Sequence, residues 1–174
     1  MLRIVRIFTF LQLYMLYAQD RPVLAPEELL QLIPDQVENF RPAGDPRARM
    51  VKIGTLSYSL AEKNFARGKQ KIKILLFDYN NALIMYSQAM KNMRQPTAYA
   101  SITQLAGSDE STRLQYSEDL QQEKNICQIF MGINDRFFLS ISCENTDSSF
   151  LHSLLDKFNF KEFARTPIDG PKFR

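Results

Sequence analysis

The stretch from Ile126 to Cys143, ICQIFMGINDRFFLSISC, constrains the fold more than any other part of the chain. Two runs rich in β-forming residues, Ile126 to Ile133 and Phe137 to Cys143, flank the turn-prone Asn134-Asp135-Arg136, which predicts an antiparallel hairpin. Its register follows from side-chain alternation, because a slip of one residue exchanges the buried and exposed faces of a strand. A three-residue loop sets Ile133 opposite Phe137, Met131 opposite Leu139, Ile129 opposite Ile141 and Cys127 opposite Cys143. All four pairs then share one apolar face. A two-residue loop would set Ile133 against Arg136 and mix polar with apolar residues down the ladder. The first register brings the chain's only two cysteines within disulfide reach.

The first eighteen residues read separately. Arg3 and Arg6 precede an apolar run from Ile7 to Tyr17, and Ala18 is followed by the polar Gln19-Asp20, the pattern of a secretory signal peptide cleaved after Ala18. Leu16 stands where a small residue is preferred and Gln12 interrupts the run, so a retained anchor is the competing reading, but the run falls short of the ~20 residues of a spanning helix. After cleavage no stable membrane insertion is expected. Export, to a periplasm or to the medium, would expose Cys127 and Cys143 to oxidising conditions and favour a disulfide over two buried thiols.

Charge excludes one function class. Taking the leader's two arginines from the chain's 22 basic residues leaves 20 against 19 acidic ones, a net charge of +1. Global charge therefore lends no support to nucleic-acid binding, and Tyr58, Tyr79 and Tyr116 are not interleaved with a basic stripe.

Periodicity supplies the remaining elements. Pro26 to Ile33 predicts a short helix ended by Pro34, packed at the domain edge. Val37 to Met50 reads as irregular, with Arg41, Arg47 and Arg49 close together in a turn-rich loop able to hold an anion such as phosphate or a carboxylate. Leu56, Tyr58 and Leu60 alternate with polar residues, and the phase changes at Ala61, Lys63 and Phe65, which predicts a bulge or bend. A turn at Arg67-Gly68-Lys69 leads to a central strand ended by Asp78. Asn80 and Asn81 are expected to cap a helix reaching Asn92, with Ala82, Met85, Tyr86, Ala89, Met90 and Met93 on its sheet-facing stripe. Ala98 to Leu105 fits a strand or a short helix. Arg113 to Glu118 fits a strand, with a turn at Glu118-Asp119 leading into the hairpin. Asp147 or Ser148 would cap a last helix carrying Phe150, Leu151, Leu154, Leu155 and Phe158, which covers the hairpin.

These elements predict an α+β domain over 19–163, with a mostly antiparallel sheet of about five to six strands and a loose tail over 164–174. The order carried by LSYSL, KIKILLFDYNNALIMYSQAM and ICQIFMGINDRFFLSISC followed by SSFLHSLLDKF resembles the PsbP/Mog1-like α/β/α sandwich over most of Ala25 to Phe163. The likeness rests on element order, so cystatin-like and other helix-on-sheet folds stay open. Members of the sandwich fold mostly serve as accessory or binding proteins, and the resemblance implies a non-enzymatic role.

The chemistry-bearing residues are sparse. The one histidine, His152, lies off the apolar stripe of its helix, and no GxSxG or CxxC occurs. No catalytic residue, metal or cofactor is assigned. Glu62, Asp78, Glu118 and Asp119 fall at predicted strand ends and could work in pairs as in glycoside hydrolysis. The leading expectation is a small exported protein that binds an unknown protein or small ligand. A carboxylate-dependent envelope hydrolase and a structural envelope component are the alternatives.

Overall fold

A computed structural model describes residues 23–93, 113–121 and 125–166. The expected leader, the segment 97–110 and most of the expected tail lie outside the described residues. The elements in chain order are α1 (Pro26–Gln31), β1 (Arg41–Pro42), β2 (Arg47–Ile53), β3 (Leu56–Arg67), β4 (Gln70–Asn81), α2 (Leu83–Asn92), β5 (Leu114–Gln121), β6 (Ile126–Ile133), β7 (Phe137–Glu144), α3 (Ser148–Leu155) and α4 (Phe160–Arg165). The strands form one antiparallel sheet in the order β1-β3-β4-β7-β6-β5, with β2 paired to β3 on the same edge as β1. The fold is α+β, as the periodicities predict.

The central hairpin takes the register that keeps one face apolar: Ile133 with Phe137, Met131 with Leu139, Ile129 with Ile141, and Cys127 with Cys143. The cysteines form a disulfide with their Cα atoms 5.3 Å apart. Asn134 and Asp135 occupy the left-handed region at φ 54° and 52°, a conformation that short polar side chains tolerate better than most. Arg113 anchors this turn to β5. Its amide donates to Asn134 Oδ1 at 2.8 Å, its carbonyl accepts from the Asn134 amide at 2.8 Å, and its guanidinium pairs with Asp135 at 2.8 Å.

Because directly paired residues share a face, the register divides the sheet into two chemically different sides. On the core face Ala61, Phe65, Ile72, Ile74, Leu76 and the apolar residues of β6 and β7 pack with Leu29 and Ile33 of the α1 region and with α3 and α4. On the opposite face Tyr58, Phe77, Tyr79, Phe130 and Phe138 pack under Ala82, Tyr86, Met90 and Met93 of α2. The predicted methionine stripe therefore faces the sheet.

Several local expectations are corrected. The stretch Val37 to Met50 is not irregular throughout, since it supplies β1 and most of β2 along the edge of β3. The phase change at Ala61 marks no bulge, since the ladder to β4 is continuous from Ser59 to Arg67: Tyr58 packs under α2, whereas Ala61 and Phe65 pack in the opposite core, so one strand buries different faces along its length. The ladder irregularity lies instead where three residue steps of β4, Asp78 to Asn81, oppose two of β3. Asn80 and Asn81 do not cap α2, whose N-cap is Ala82; Asn81 donates to the Thr55 carbonyl at 3.1 Å and to Ser57 Oγ at 3.0 Å. The strand β5 runs through Glu118-Asp119 to Gln121 instead of turning there. Helix α1 packs on β2 and β3 at the edge of the sheet and also contributes to the core: Leu29 and Ile33 are buried, and buried Lys63 donates to the Ile33 carbonyl just beyond its end at 2.7 Å and pairs with Asp35 at 2.7 Å.

At the C-terminal end, Asp147 caps α3 by accepting from the Ser149 amide at 3.0 Å, as anticipated. The chain then adds α4, which brings Phe160 and Phe163 into the core and extends two residues past the expected boundary at 163.

Gly132 permits the close approach of α2 to β6. A Cβ placed there would lie 2.5 Å from Tyr86 Oη and 2.6 Å from Met90 Sδ. The Tyr86 hydroxyl is buried with no hydrogen-bond partner among the described residues, and burial, reinforced by the negative charge of Asp135, pushes its pKa up to about 12. Gly132→Ala should therefore lose about 1–3 kcal/mol in urea unfolding through overpacking. Tyr86→Phe should be neutral or slightly stabilising, and in the double variant it should recover part of the Gly132→Ala loss. Equal losses with and without the Tyr86 hydroxyl would refute its share of the overpacking and leave Met90 as the obstacle.

Candidate functional site

Five arginines and lysines on β1, β2 and β4 share the α2-side face and form an exposed basic cluster. Arg41 pairs with Ala66, Arg47 with Glu62 and Arg49 with Leu60, so all three predicted arginines project to one face of the sheet. Lys71 and Lys73 of β4, paired with Ala66 and Asn64, add to the same face beyond the cover of α2. The spacing separates the arginines into two groups. Arg47 and Arg49 line a shallow depression of about 170 Å³ with Ala48, Leu60 and Glu62. Arg41 lies four residues farther along β3, roughly 13 Å away at strand rise, and is not part of it.

The electrostatics leave this edge positive. Lys73 pairs with Glu62 at 3.3 Å and Lys71 with Glu144 at 3.1 Å. The side chains of Arg41, Arg47 and Arg49 hold no hydrogen bond or ion pair among the described residues. A hydrogen bond from Asn64 at 2.8 Å does most to hold Glu62 below the ordinary value of 4.5, working against burial, with further help from Lys73 and the charge of Arg47. Glu62 therefore stays ionised in moderate acid.

The four candidate carboxylates do not converge. Glu118 and Asp119 are successive residues of β5 and so lie on opposite faces. Glu62 and Asp119 share the α2-side face but stand four strand spacings apart, roughly 19 Å. Asp78 and Glu118 share the core face three spacings apart, at least ~14 Å. All four are also engaged locally. Glu118 accepts from Tyr116 Oη at 3.0 Å and lies 3.4 Å from His152 Nε2. Burial first, then Glu118, raises the pKa of that tyrosine. His152 is exposed on α3, at the margin where the sequence places it.

Asp78 neither ends β4 nor meets solvent. It is 0% exposed and Arg136 is 4% exposed. Arg136 grips it with Nε to Oδ1 at 2.8 Å and a terminal nitrogen to Oδ2 at 2.6 Å. The amides of Leu24 and Asn80 donate to the same carboxylate at 2.8 and 3.0 Å. Such a saturated carboxylate has no lone pair left for general acid or base work. The sequence signal was available, since an acid inside an apolar strand and an arginine inside an apolar hairpin each call for a buried partner.

A second hollow of about 420 Å³ lies between α1 and α4, lined by residues including Glu28, Gln31, Glu162 and Arg165. Its charges are occupied locally: Glu28 accepts from the Ala25 amide at 3.0 Å, and Glu162 pairs with Arg165 at 3.4 Å. Among the described residues no group of three or more His, Cys, Asp or Glu could hold a metal ion, and no helix is long and apolar enough to cross a membrane.

Two measurements check these assignments. Asp78→Asn or Arg136→Met alone should lose about 3–5 kcal/mol by leaving a buried charge without its partner, and the double variant should lose less than the sum. Strict additivity in denaturant unfolding would contradict the coupling. For Glu62, a folded pKa below 4.5 means a stabilising contribution that is full above 4.5 and lost as pH falls through the lower folded value. The stability gap between the native protein and Glu62→Gln should therefore be present at neutral pH and close in acid; a gap that widens in acid would reverse the sign of the argument.

No protein-family model, curated protein or solved structure matches this chain.

Proposed function

We propose that the protein is a small exported binding module that takes an acidic partner on the basic edge formed by β2 and β3, and that it works without catalysis. The observation that carries this reading is the pair Arg47 and Arg49, on one face beside a depression of about 170 Å³, whose side chains make no hydrogen bond or ion pair among the described residues, although Arg47 stands opposite Glu62. Arginines in such a position offer planar donor forks to carboxylates or phosphates. The scattering of Glu62, Asp78, Glu118 and Asp119 removes the geometric basis of the hydrolase alternative.

Export is supported by the Cys127–Cys143 disulfide, since such bonds persist mainly in oxidising compartments. The basic n-region and apolar run of residues 1–18 support it independently. The element order that resembles the PsbP/Mog1-like sandwich supports an accessory role by analogy alone.

Titration of the oxidised protein with a polyglutamate chain tests the reading. Saturable binding that weakens with added salt is expected, with most of it lost in Arg47→Ala/Arg49→Ala and the thermal midpoint little changed because both residues are exposed. Undiminished binding by the double variant, or none by the native protein, would sink the proposal.

A further inference from the structure

The edge itself points to the kind of acidic partner, an inference that rests on the proposed function. Among the described residues β2 pairs with β3 along one side only, and five of its seven residues are exposed. A strand held on one side presents a row of backbone donors and acceptors on the other. From the exposed side chains and the pairing we infer that β2 accepts an extended acidic peptide as an added antiparallel strand of the sheet.

The residue pattern favours this occupant over two others. Met50 and Ile53 are 52% and 56% exposed, but Met50 pairs with Ser59 on the core face and Ile53 with Leu56 on the α2 side. Apolar residues on opposite faces of a sheet cannot dip together into one bilayer surface, whereas both can flank a strand laid alongside. A second copy of β2 is disfavoured because each strand carries Arg47, Arg49 and Lys52 and no acid, so two copies side by side would gather six positive charges with nothing on either strand to offset them. Basic residues on an edge discourage such self-pairing while attracting a strand of opposite charge.

Antiparallel pairing prescribes the partner's sequence. Read from its N-terminus, successive residues oppose Ile53, Lys52, Val51, Met50, Arg49, Ala48 and Arg47, so the complementary order is apolar, acidic, apolar, apolar, acidic, small, acidic. Acids opposite Arg49 and Arg47 fall on the face of the depression, and the acid opposite Lys52 falls on the other face.

The test uses the full oxidised protein and a fluorescently labelled peptide of that seven-residue order, followed by anisotropy at low and physiological salt. Binding should weaken with salt. N-methylation of one alternate set of peptide amides should abolish it, and N-methylation of the other set should leave it nearly intact, since only alternate amides face β2. Arg47→Glu/Arg49→Glu should weaken binding by about tenfold or more, and a peptide with lysines at the two facing positions should recover it. Equal effects of the two methylation sets, or equal binding of a scrambled peptide of the same composition, would overturn strand addition while leaving polyglutamate binding to the arginines standing. Protein that binds anionic phospholipid vesicles and ignores the peptide would also overturn it, in favour of a membrane surface. Failure with both the peptide and polyglutamate would remove this inference and the proposed function together.

Discussion

The buried pair of Asp78 and Arg136 ties together three parts of the chain that are distant in sequence. Asp78 lies near the end of β4, Arg136 in the turn between β6 and β7, and Leu24 just ahead of α1, where Ser59 also donates to the Leu24 carbonyl at 2.6 Å. Moving two charges out of water costs several kcal/mol per ion, and Coulomb attraction offsets that only when the hydrogen bonds are complete. Here both carboxylate oxygens are filled by the guanidinium and two backbone amides, while the guanidinium lies 4.7 Å from the Phe137 ring. The pair thus selects one arrangement: the bulge in β4, the hairpin turn and the start of α1 must meet at one point.

From that point the sheet separates into two environments. The core face is apolar along β4, β6 and β7 and is closed by α1, α3 and α4. The other face is aromatic where α2 covers it, with ring pairs from Tyr58 and Tyr79 at 5.4 Å to Phe130 and Phe138 at 6.1 Å. Beyond α2 it is set with Lys71, Lys73, Glu62, Ser140 and Ser142. Helix α2 has a narrow apolar stripe, so it covers only part of this face. Among the described residues, the remainder leaves Arg47 and Arg49 exposed on β2.

The legible parts of the fold were those with regular periodicity. The hairpin register could be read because one slip would bury polar residues, and the α2 stripe because its residues recur at helical spacing. Strand β2 escaped notice because an exposed edge strand buries little of either face and so shows no alternation. Helix α4 is six residues long, too short for periodicity to mark it. Of the arginines singled out, the local composition grouped all three, but pairing along β3 brought only Arg47 and Arg49 to one depression.

By itself the sequence determined the α+β class, the hairpin and its disulfide partners, the sheet-facing side of α2 and, to within one residue, the cap of α3, because each follows from the local spacing of apolar and capping residues. Only the tertiary structure decided that Asp78 is a buried anchor and not a strand terminator, that the carboxylates stand apart, and that two arginines share an open edge. Those outcomes depend on which strands become neighbours: the order of residues marks Asp78 and Arg136 as each needing a buried partner, but at 58 residues apart it does not mark them as each other's.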